Sequence, residues 1–336
     1  MSARVFFTRE LPSVAVDLLR GAGLEVEVWE GWRGPTPEEL VGRAKDAEVL
    51  VSLLSDDLSS GVLERLPRLR MIAQYAVGYD NVDLEAAKRR GILVSNTPDV
   101  LTEATADFVW ALLLAAARRV VEGDLFVRSG RWYEEGVAWH PLMMLGSSVS
   151  GKTLGVLGFG RIGRAVARRA LGFGMRVLYH SRTRVAPELE SSLNASFAPF
   201  EVLLAESDFL AVCLPLTRET QGLLGRREMD LMKRGAILIN AARGRIVDLD
   251  ALHDALRDGR LAGAGLDVFP VEPMPRHPIF ELPNVVLAPH MASATVEART
   301  EMAKLVAENV LDFVSGRRPR TLVNPEVWED VGRPSR

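Results

Sequence analysis

The stretch Lys152-Thr153-Leu154-Gly155-Val156-Leu157-Gly158-Phe159-Gly160-Arg161-Ile162-Gly163 decides the reading of this chain. A short β-favouring run enters a glycine turn, and apolar residues then recur with helical spacing at Ile162, Ala165, Val166, Ala170 and Phe173. In such a strand–turn–helix, Gly158 permits the tight turn, Gly160 lets the backbone approach a pyrophosphate, and Gly163 allows close helix packing. The amides opening the helix would face the phosphate charge. The expected ligand is a dinucleotide.

The same alternation of short apolar runs and helix-length spacers extends in both directions. Before the motif the runs are Val5–Thr8, Glu25–Trp29, Val49–Leu53, Met71–Tyr75 and Ile92–Ser95. From the motif onward they are Leu154–Leu157, Val177–Tyr179, Phe209–Leu214, Ala236–Asn240, Gly265–Val268 and Val285–Ala288. Several lack polar alternation, as strands buried on both faces of a parallel sheet do. Two βαβ sets follow, an α/β protein, and 336 residues suit two domains at about 150 residues each. Leu101–Arg119 lies between the sets, with Thr102 placed to cap a helix, Glu103 in its first turn and Arg118 and Arg119 at its end. Its continuous apolar middle predicts burial between domains or between subunits. A last helix is expected over Thr295–Val314, stopping at Gly316.

Composition narrows the function. Lys and Arg number 41 against 44 Asp and Glu, a net charge of −3, which provides no broad basic field for nucleic acid or an anionic membrane. Cys213 is the only cysteine, so an intrachain disulfide and a multi-cysteine zinc site are excluded, and no metal is expected. The N-terminus does not read as a secretory signal. The apolar run Phe108–Ala117 falls well short of the ~20 residues of a membrane span, so a cytoplasmic location is the default and Asn194-Ala195-Ser196 a chance sequon.

The second strand of the dinucleotide set closes at His180 and runs into Ser181-Arg182-Thr183-Arg184. An NAD site usually places a carboxylate there for the ribose hydroxyls. Two guanidinium groups and two hydroxyls suit a 2′-phosphate instead, because arginine donates in a fork that matches phosphate. NADP(H) is therefore preferred over NAD(H), with dual use of both as the alternative.

Near-neutral acid–base chemistry falls to five histidines. His253 sits in a charged helical segment and should be exposed; His277 and His140 lie in loops, and His180 stands toward the adenosine end. Only His290 ends an apolar strand, where open α/β sheets place their ligand crevices. A histidine that protonates a carbonyl needs a carboxylate beside it, and Asp267 and Glu272 are both candidates. Arg243, after another buried strand, could hold a substrate carboxylate.

At these residues the chain resembles, over essentially its whole length, the D-isomer-specific 2-hydroxyacid dehydrogenases, and most of all their glyoxylate/hydroxypyruvate reductases. The resemblance is carried by Ala73-Gln-Tyr-Ala-Val-Gly-Tyr-Asp-Asn81, the glycine motif, Ser181-Arg-Thr-Arg184, Asn240-Ala-Ala-Arg-Gly-Arg-Ile-Val-Asp248, Gly263-Ala-Gly-Leu-Asp-Val-Phe269 and Leu287-Ala-Pro-His290. It implies two Rossmann-like or flavodoxin-like parallel-sheet domains with a cleft between them. The substrate domain would be discontinuous, 1–99 plus 291–336, around a dinucleotide domain of 100–290, with hinges near Pro98 and Pro289.

The resemblance also implies roles. His290 would be the general acid of reduction, paired with Glu272, and Arg243 would hold the substrate carboxylate and carbonyl. Amides of Val77 and Gly78 would bind that carboxylate, and Leu54 would line the pocket. Asp267 would hold the nicotinamide carboxamide. Phe159, Arg161 and Ile162 would lie at the pyrophosphate with Gly158 and Gly160, and Ala241 and Ala242 beside the cofactor. Residues 101–145 would form a homodimer interface, with Trp139 reaching the neighbouring subunit's site. The implied activity is NADPH-preferring reduction of small 2-oxo acids, glyoxylate to glycolate and hydroxypyruvate to D-glycerate. The alternatives are another D-2-hydroxyacid dehydrogenase or a dinucleotide-sensing scaffold without catalysis. The family's formate dehydrogenases pair the histidine with glutamine, whereas Glu272 is ionisable. Met291-Ala292 replaces a frequent Ile-Gly pair and would narrow the space beside the imidazole; Ser147-Ser148-Val149-Ser150 has no functional reading.

Overall fold

Twelve strands, every one paired in parallel, build two sheets in the computed structural model, which describes residues 3–331. The chain divides into two compact units, Met1–Leu101 with Ala294–Arg336, and Thr102–Ser293. Residues 1, 2 and 332–336, at the ends of the expected discontinuous domain, lie outside the described residues.

In the first unit, β1 (Arg4–Phe7), β2 (Glu25–Val28), β3 (Val49–Ser52), β4 (Met71–Gln74) and β5 (Leu93–Ser95) stand in the order β2-β1-β3-β4-β5. β3, β4 and β5 are buried throughout, as their unbroken apolar sequences require. The edge strand β2 is not: its alternating glutamates keep it half-exposed and discourage further pairing. The opposite edge is covered by the returning chain, where the Asn324 side chain accepts from Val94 N at 2.8 Å and donates to Ile92 O at 2.9 Å. Beyond the carboxyl ends of β1 and β3, the buried Asp56 carboxylate accepts from the Thr8 hydroxyl at 2.5 Å and from Leu53 N at 2.8 Å. That fixes the loop presenting Leu54. Thr295 caps the helix Val296–Val314 through its hydroxyl, and Gly316, at φ +70°, follows its end.

The second unit holds β6 (Thr153–Leu157), β7 (Arg176–His180), β8 (Ala195–Phe197), β9 (Phe209–Val212), β10 (Ile237–Asn240), β11 (Gly263–Leu266) and β12 (Val285–Leu287), ordered β12-β11-β10-β9-β6-β7-β8. Strand order reverses between β6 and β9, and ligands of open α/β sheets bind beyond the carboxyl ends at such a point.

Two expectations need correction. The sequence reading found no strand at Ala195–Phe197, because a three-residue edge strand with two exposed positions carries no apolar run. Thr102 is the first residue of the helix Thr102–Ala117 rather than its cap. That helix packs on β10, β11 and the helix Arg161–Ala170 of its own unit. Trp110 stacks on Phe173 at 4.6 Å and donates its indole N–H to Val166 O at 3.0 Å. Truncating such a buried, satisfied tryptophan typically costs about 3–5 kcal/mol, so the apolar run is explained by the sheet it covers.

Candidate active site

The glycine turn after β6 is tight for reasons each glycine makes plain. Gly158 has φ +98°, and a Cβ there would meet Cys213 O at 2.6 Å; a Cβ on Gly163 would meet Gly158 O at 2.1 Å. Gly160 differs, since its Cβ would meet nothing within 4 Å. The open side of the turn therefore lies at Gly160, which starts the helix Arg161–Ala170 without a side-chain cap, leaving the first-turn amides to an outside acceptor. These features fit a dinucleotide pyrophosphate. Arg161 is exposed and Ile162 half-buried at the same turn, whereas the Phe159 side chain turns inward and stacks on Tyr179 at 4.0 Å. The Phe159 side chain is thus taken up by the core.

After β7 the four expected phosphate ligands are not equivalent. The Arg184 fork closes on Glu190, Nε to Oε1 at 2.9 Å and Nη2 to Oε2 at 2.7 Å, and the Ser181 hydroxyl donates to Thr183 O at 2.7 Å. Arg182 and Thr183 are exposed at the tip of the loop. His180 sits with Nδ1 2.9 Å from Ala198 O, beside Phe197 and Phe200.

The remaining groups leave three adjacent strands at their carboxyl ends. Asn240, closing β10, is buried; its carbonyl accepts from Ala242 N at 3.1 Å and its amide donates to Arg243 O at 3.0 Å. This side chain folds the turn that holds Ala241 and Ala242, and the Arg243 guanidinium donates from Nη1 to Ala242 O at 2.7 Å. Asp267 follows β11 and is fully buried, and both its oxygens are engaged, Oδ1 by Met291 N at 2.7 Å and Oδ2 by Ala292 N at 2.9 Å. His290 follows β12 and donates its own N–H to Asp267 O at 2.7 Å. Its φ is +54°. A non-glycine residue held there stores on the order of 1–3 kcal/mol, tolerated only where surroundings over-determine it. Here the Asp267 carboxylate and carbonyl together do so.

Of the two candidate carboxylates, Glu272 reaches the imidazole. Its Oε2 lies 2.6 Å from His290 Nδ1, while Oε1 accepts from Phe269 N at 2.9 Å. Burial pushes the Glu272 carboxyl up, but the hydrogen bond and charge of His290, the Phe269 amide and the charge of Arg243 outweigh it, leaving it below the usual range. Asp267 goes the other way: burial raises it against the two amides and the His290 charge. A carboxylate on Nδ1 fixes the proton there and leaves Nε2 as the working nitrogen.

The other histidines do not join this group. His253 is not exposed as expected, since its side chain keeps 18% of its surface, 3.4 Å from Asp254 and edge-on to His277. His277 caps the short turn Pro278–Glu281, and His140 caps its own loop at Leu142 N. In the first unit, the carbonyls of Val77 and Gly78 accept from Asn96 and Gln74. Among the described residues the Val77 and Gly78 N–H groups have no acceptor. Trp139 is 76% exposed.

Residues 110–292 match the family model for the D-isomer specific 2-hydroxyacid dehydrogenase NAD binding domain. The glyoxylate reductase of Thermococcus gammatolerans is 57% identical over 327 residues, 97% of each chain. This chain belongs to the D-isomer specific 2-hydroxyacid dehydrogenase family. A solved structure from Thermus thermophilus superposes with TM-score 0.88 at 50% identity, covering 95% of this chain and 99% of that one. The NADPH-dependent glyoxylate/hydroxypyruvate reductase of Sinorhizobium meliloti, solved with NADP and malonate, has TM-score 0.85 at 32% identity, covering 100% of both.

As a member of this dehydrogenase family, the chain binds a nicotinamide dinucleotide, in keeping with the open turn at Gly160. Among the described residues no helix is long and apolar enough to cross a membrane. Sequence reasoning passed over Asn240, although a lone amide ending an apolar strand is a visible signal. It also passed over Glu190, which no spacing rule ties to Arg184.

Proposed function

We propose that this dehydrogenase reduces small 2-oxo acids, glyoxylate to glycolate and hydroxypyruvate to D-glycerate, with NADPH preferred over NADH. The observation that carries this is the 2.6 Å pairing of Glu272 with His290 at the strand ends that also bear Arg243, in a chain 57% identical to a glyoxylate reductase. The unit Thr102–Ser293 takes the dinucleotide, and the discontinuous unit takes the substrate.

When bound, the reduced dinucleotide supplies hydride to the carbonyl carbon. His290 gives the proton at Nε2 to the carbonyl oxygen in reduction and withdraws it in oxidation, and Glu272 stabilises the imidazolium and holds the ring in place. Arg243 offers a planar fork to the substrate carboxylate. In the substrate unit the amides of Val77 and Gly78 serve as carboxylate donors and Leu54 as apolar lining. Gly158, Phe159 through its backbone, Gly160, Arg161 and Ile162 hold the pyrophosphate, and Ala241 and Ala242 flank the cofactor. Asp267 has a second lone pair on each oxygen for the carboxamide. Ser181, Arg182, Thr183 and Arg184 form the loop at the 2′-phosphate. Residues 101–145 form a homodimer interface with Trp139 in the neighbour's site, and the enzyme works in the cytoplasm.

Turnover of glyoxylate and hydroxypyruvate with each cofactor, followed by loss of reduced-nicotinamide absorbance, tests the reading. Catalytic efficiency should be higher with NADPH; no turnover with any small 2-oxo acid overturns the activity. Arg182→Ala should weaken NADPH far more than NADH, and equal losses overturn the cofactor preference.

A further inference from the structure

Tyr179, on β7, is fully buried yet carries a hydroxyl, and that hydroxyl is fully used. It donates to Glu190 Oε1 at 2.6 Å and accepts from Val185 N at 3.0 Å. Glu190, itself buried, grips the Arg184 fork with both oxygens. The loop 181–185 is thus tied down twice: directly by its Val185 amide, and through Glu190 by its Arg184 side chain. On its other side the Tyr179 ring stacks on Phe159 within the glycine motif and meets Phe197 edge-on at 5.6 Å. One side chain therefore joins the pyrophosphate turn to the loop beyond it.

The electrostatics make this tether permanent. The Arg184 and Tyr179 hydrogen bonds hold the Glu190 carboxyl down to about 2, so it remains anionic at any working pH. Its charge also offsets that of Arg184, whose side chain is 63% exposed, so that of the two exposed arginines expected at the phosphate Arg182 is the one not held by Glu190. A loop already ordered before the ligand arrives costs less to bind with.

We propose that Tyr179, acting through Glu190 and Val185, is the positioning residue that sets the Ser181–Val185 loop for a 2′-phosphate and so determines cofactor discrimination. This rests on the NADPH reading above, and the experiment separates the two. Tyr179→Phe removes both hydrogen bonds, changes no charge, and keeps the ring on Phe159. Calorimetric titration of the full-length protein would compare 2′,5′-ADP with 5′-AMP. In Tyr179→Phe, 2′,5′-ADP should bind about tenfold more weakly, the order expected when a ligand must itself order the loop, with 5′-AMP changed by less than about twofold. Equal weakening of both nucleotides would reduce Tyr179 to a merely structural residue and overturn the proposal. Unchanged 2′,5′-ADP affinity in Tyr179→Phe, with a clear loss in Arg182→Ala, would overturn the proposal and leave the NADPH reading standing. Unchanged 2′,5′-ADP affinity in Arg182→Ala would remove that reading itself.

Discussion

Glu272 Oε2 lies 2.6 Å from His290 Nδ1, and the same carboxylate is anchored on its other oxygen by Phe269 N at 2.9 Å. The histidine is thereby given both an orientation and a negative neighbour. The carboxylate holds the ring with Nε2 turned to the substrate oxygen. In Glu272→Gln turnover of glyoxylate should fall by about 10²-fold, the scale of a general-acid contribution, while NADPH binding is kept. Unchanged turnover would take Glu272 out of proton handling. The sign for stability follows from the direction of its shift. Because the folded carboxyl lies below its ordinary value of 4.5, its contribution is complete above that pH and is lost as pH falls through the folded value.

Asp267 serves His290 through the backbone. Its two oxygens take the amides of Met291 and Ala292, and its carbonyl takes the His290 amide, which holds His290 at φ +54°. Asp267→Asn leaves one acceptor and turns an NH2 toward an N–H donor, so the clamp opens. Turnover should fall by about 10²-fold, the scale of a misplaced catalytic group. The melting temperature should fall as well, because an NH2 facing a backbone N–H leaves buried donors unpaired at about 1–3 kcal/mol. If Asp267 also holds the carboxamide, the NADPH dissociation constant will rise as well; a clamp alone leaves it fixed.

Much of this was legible beforehand, for identifiable reasons. The strands buried on both faces announced themselves as apolar runs, and the glycine spacing announced a strand–turn–helix because the fold itself demands glycine at Gly158 and Gly163, while Gly160 keeps the turn open to a ligand. His290 stood out by ending such a run. The rest depended on partners far apart in sequence. Nothing local distinguishes Asp267 from Glu272 as the imidazole's partner until β11 and β12 lie side by side. Arg184 reads as a phosphate ligand until Glu190 is seen to hold it. The burial of Thr102–Ala117 was evident from its composition, but what covers it was not, since an apolar helix looks alike against a sheet, a domain or a subunit.

The helices Val120–Arg128 and Arg131–Glu134 bury no residue in the single chain, and Val120, Leu125, Val127, Leu142 and Leu145 are each more than half exposed. A concentration of large apolar side chains on this scale marks an interaction surface. Sedimentation of the wild type should show a dimer, and the double substitution Leu125→Asp with Val127→Asp should shift it to the mass of one chain. If Trp139 completes the neighbour's site, that monomer will also have a raised KM for glyoxylate. A monomeric wild type would dismiss both statements.

The glycine turn offers the sharpest separation of folding from binding. At Gly163 a methyl group would sit 2.1 Å from Gly158 O, against backbone that cannot yield. Gly163→Ala should therefore force the helix Arg161–Ala170 off the sheet and lower the melting temperature of the ligand-free protein, at the overpacking cost of about 1–3 kcal/mol or more. At Gly160 the same methyl meets nothing within 4 Å, and φ is −74°, open to any residue. Gly160→Ala should leave the ligand-free protein as stable as the wild type or slightly more so, since alanine restricts the unfolded chain. Its cost should fall wholly on the dinucleotide, whose pyrophosphate would meet the new methyl at the turn. Calorimetric melting with and without NADPH reads both effects at once. In Gly160→Ala the ligand-induced rise in melting temperature should shrink while the ligand-free value holds. A full ligand-induced rise in that variant would show that the pyrophosphate does not pass over Gly160.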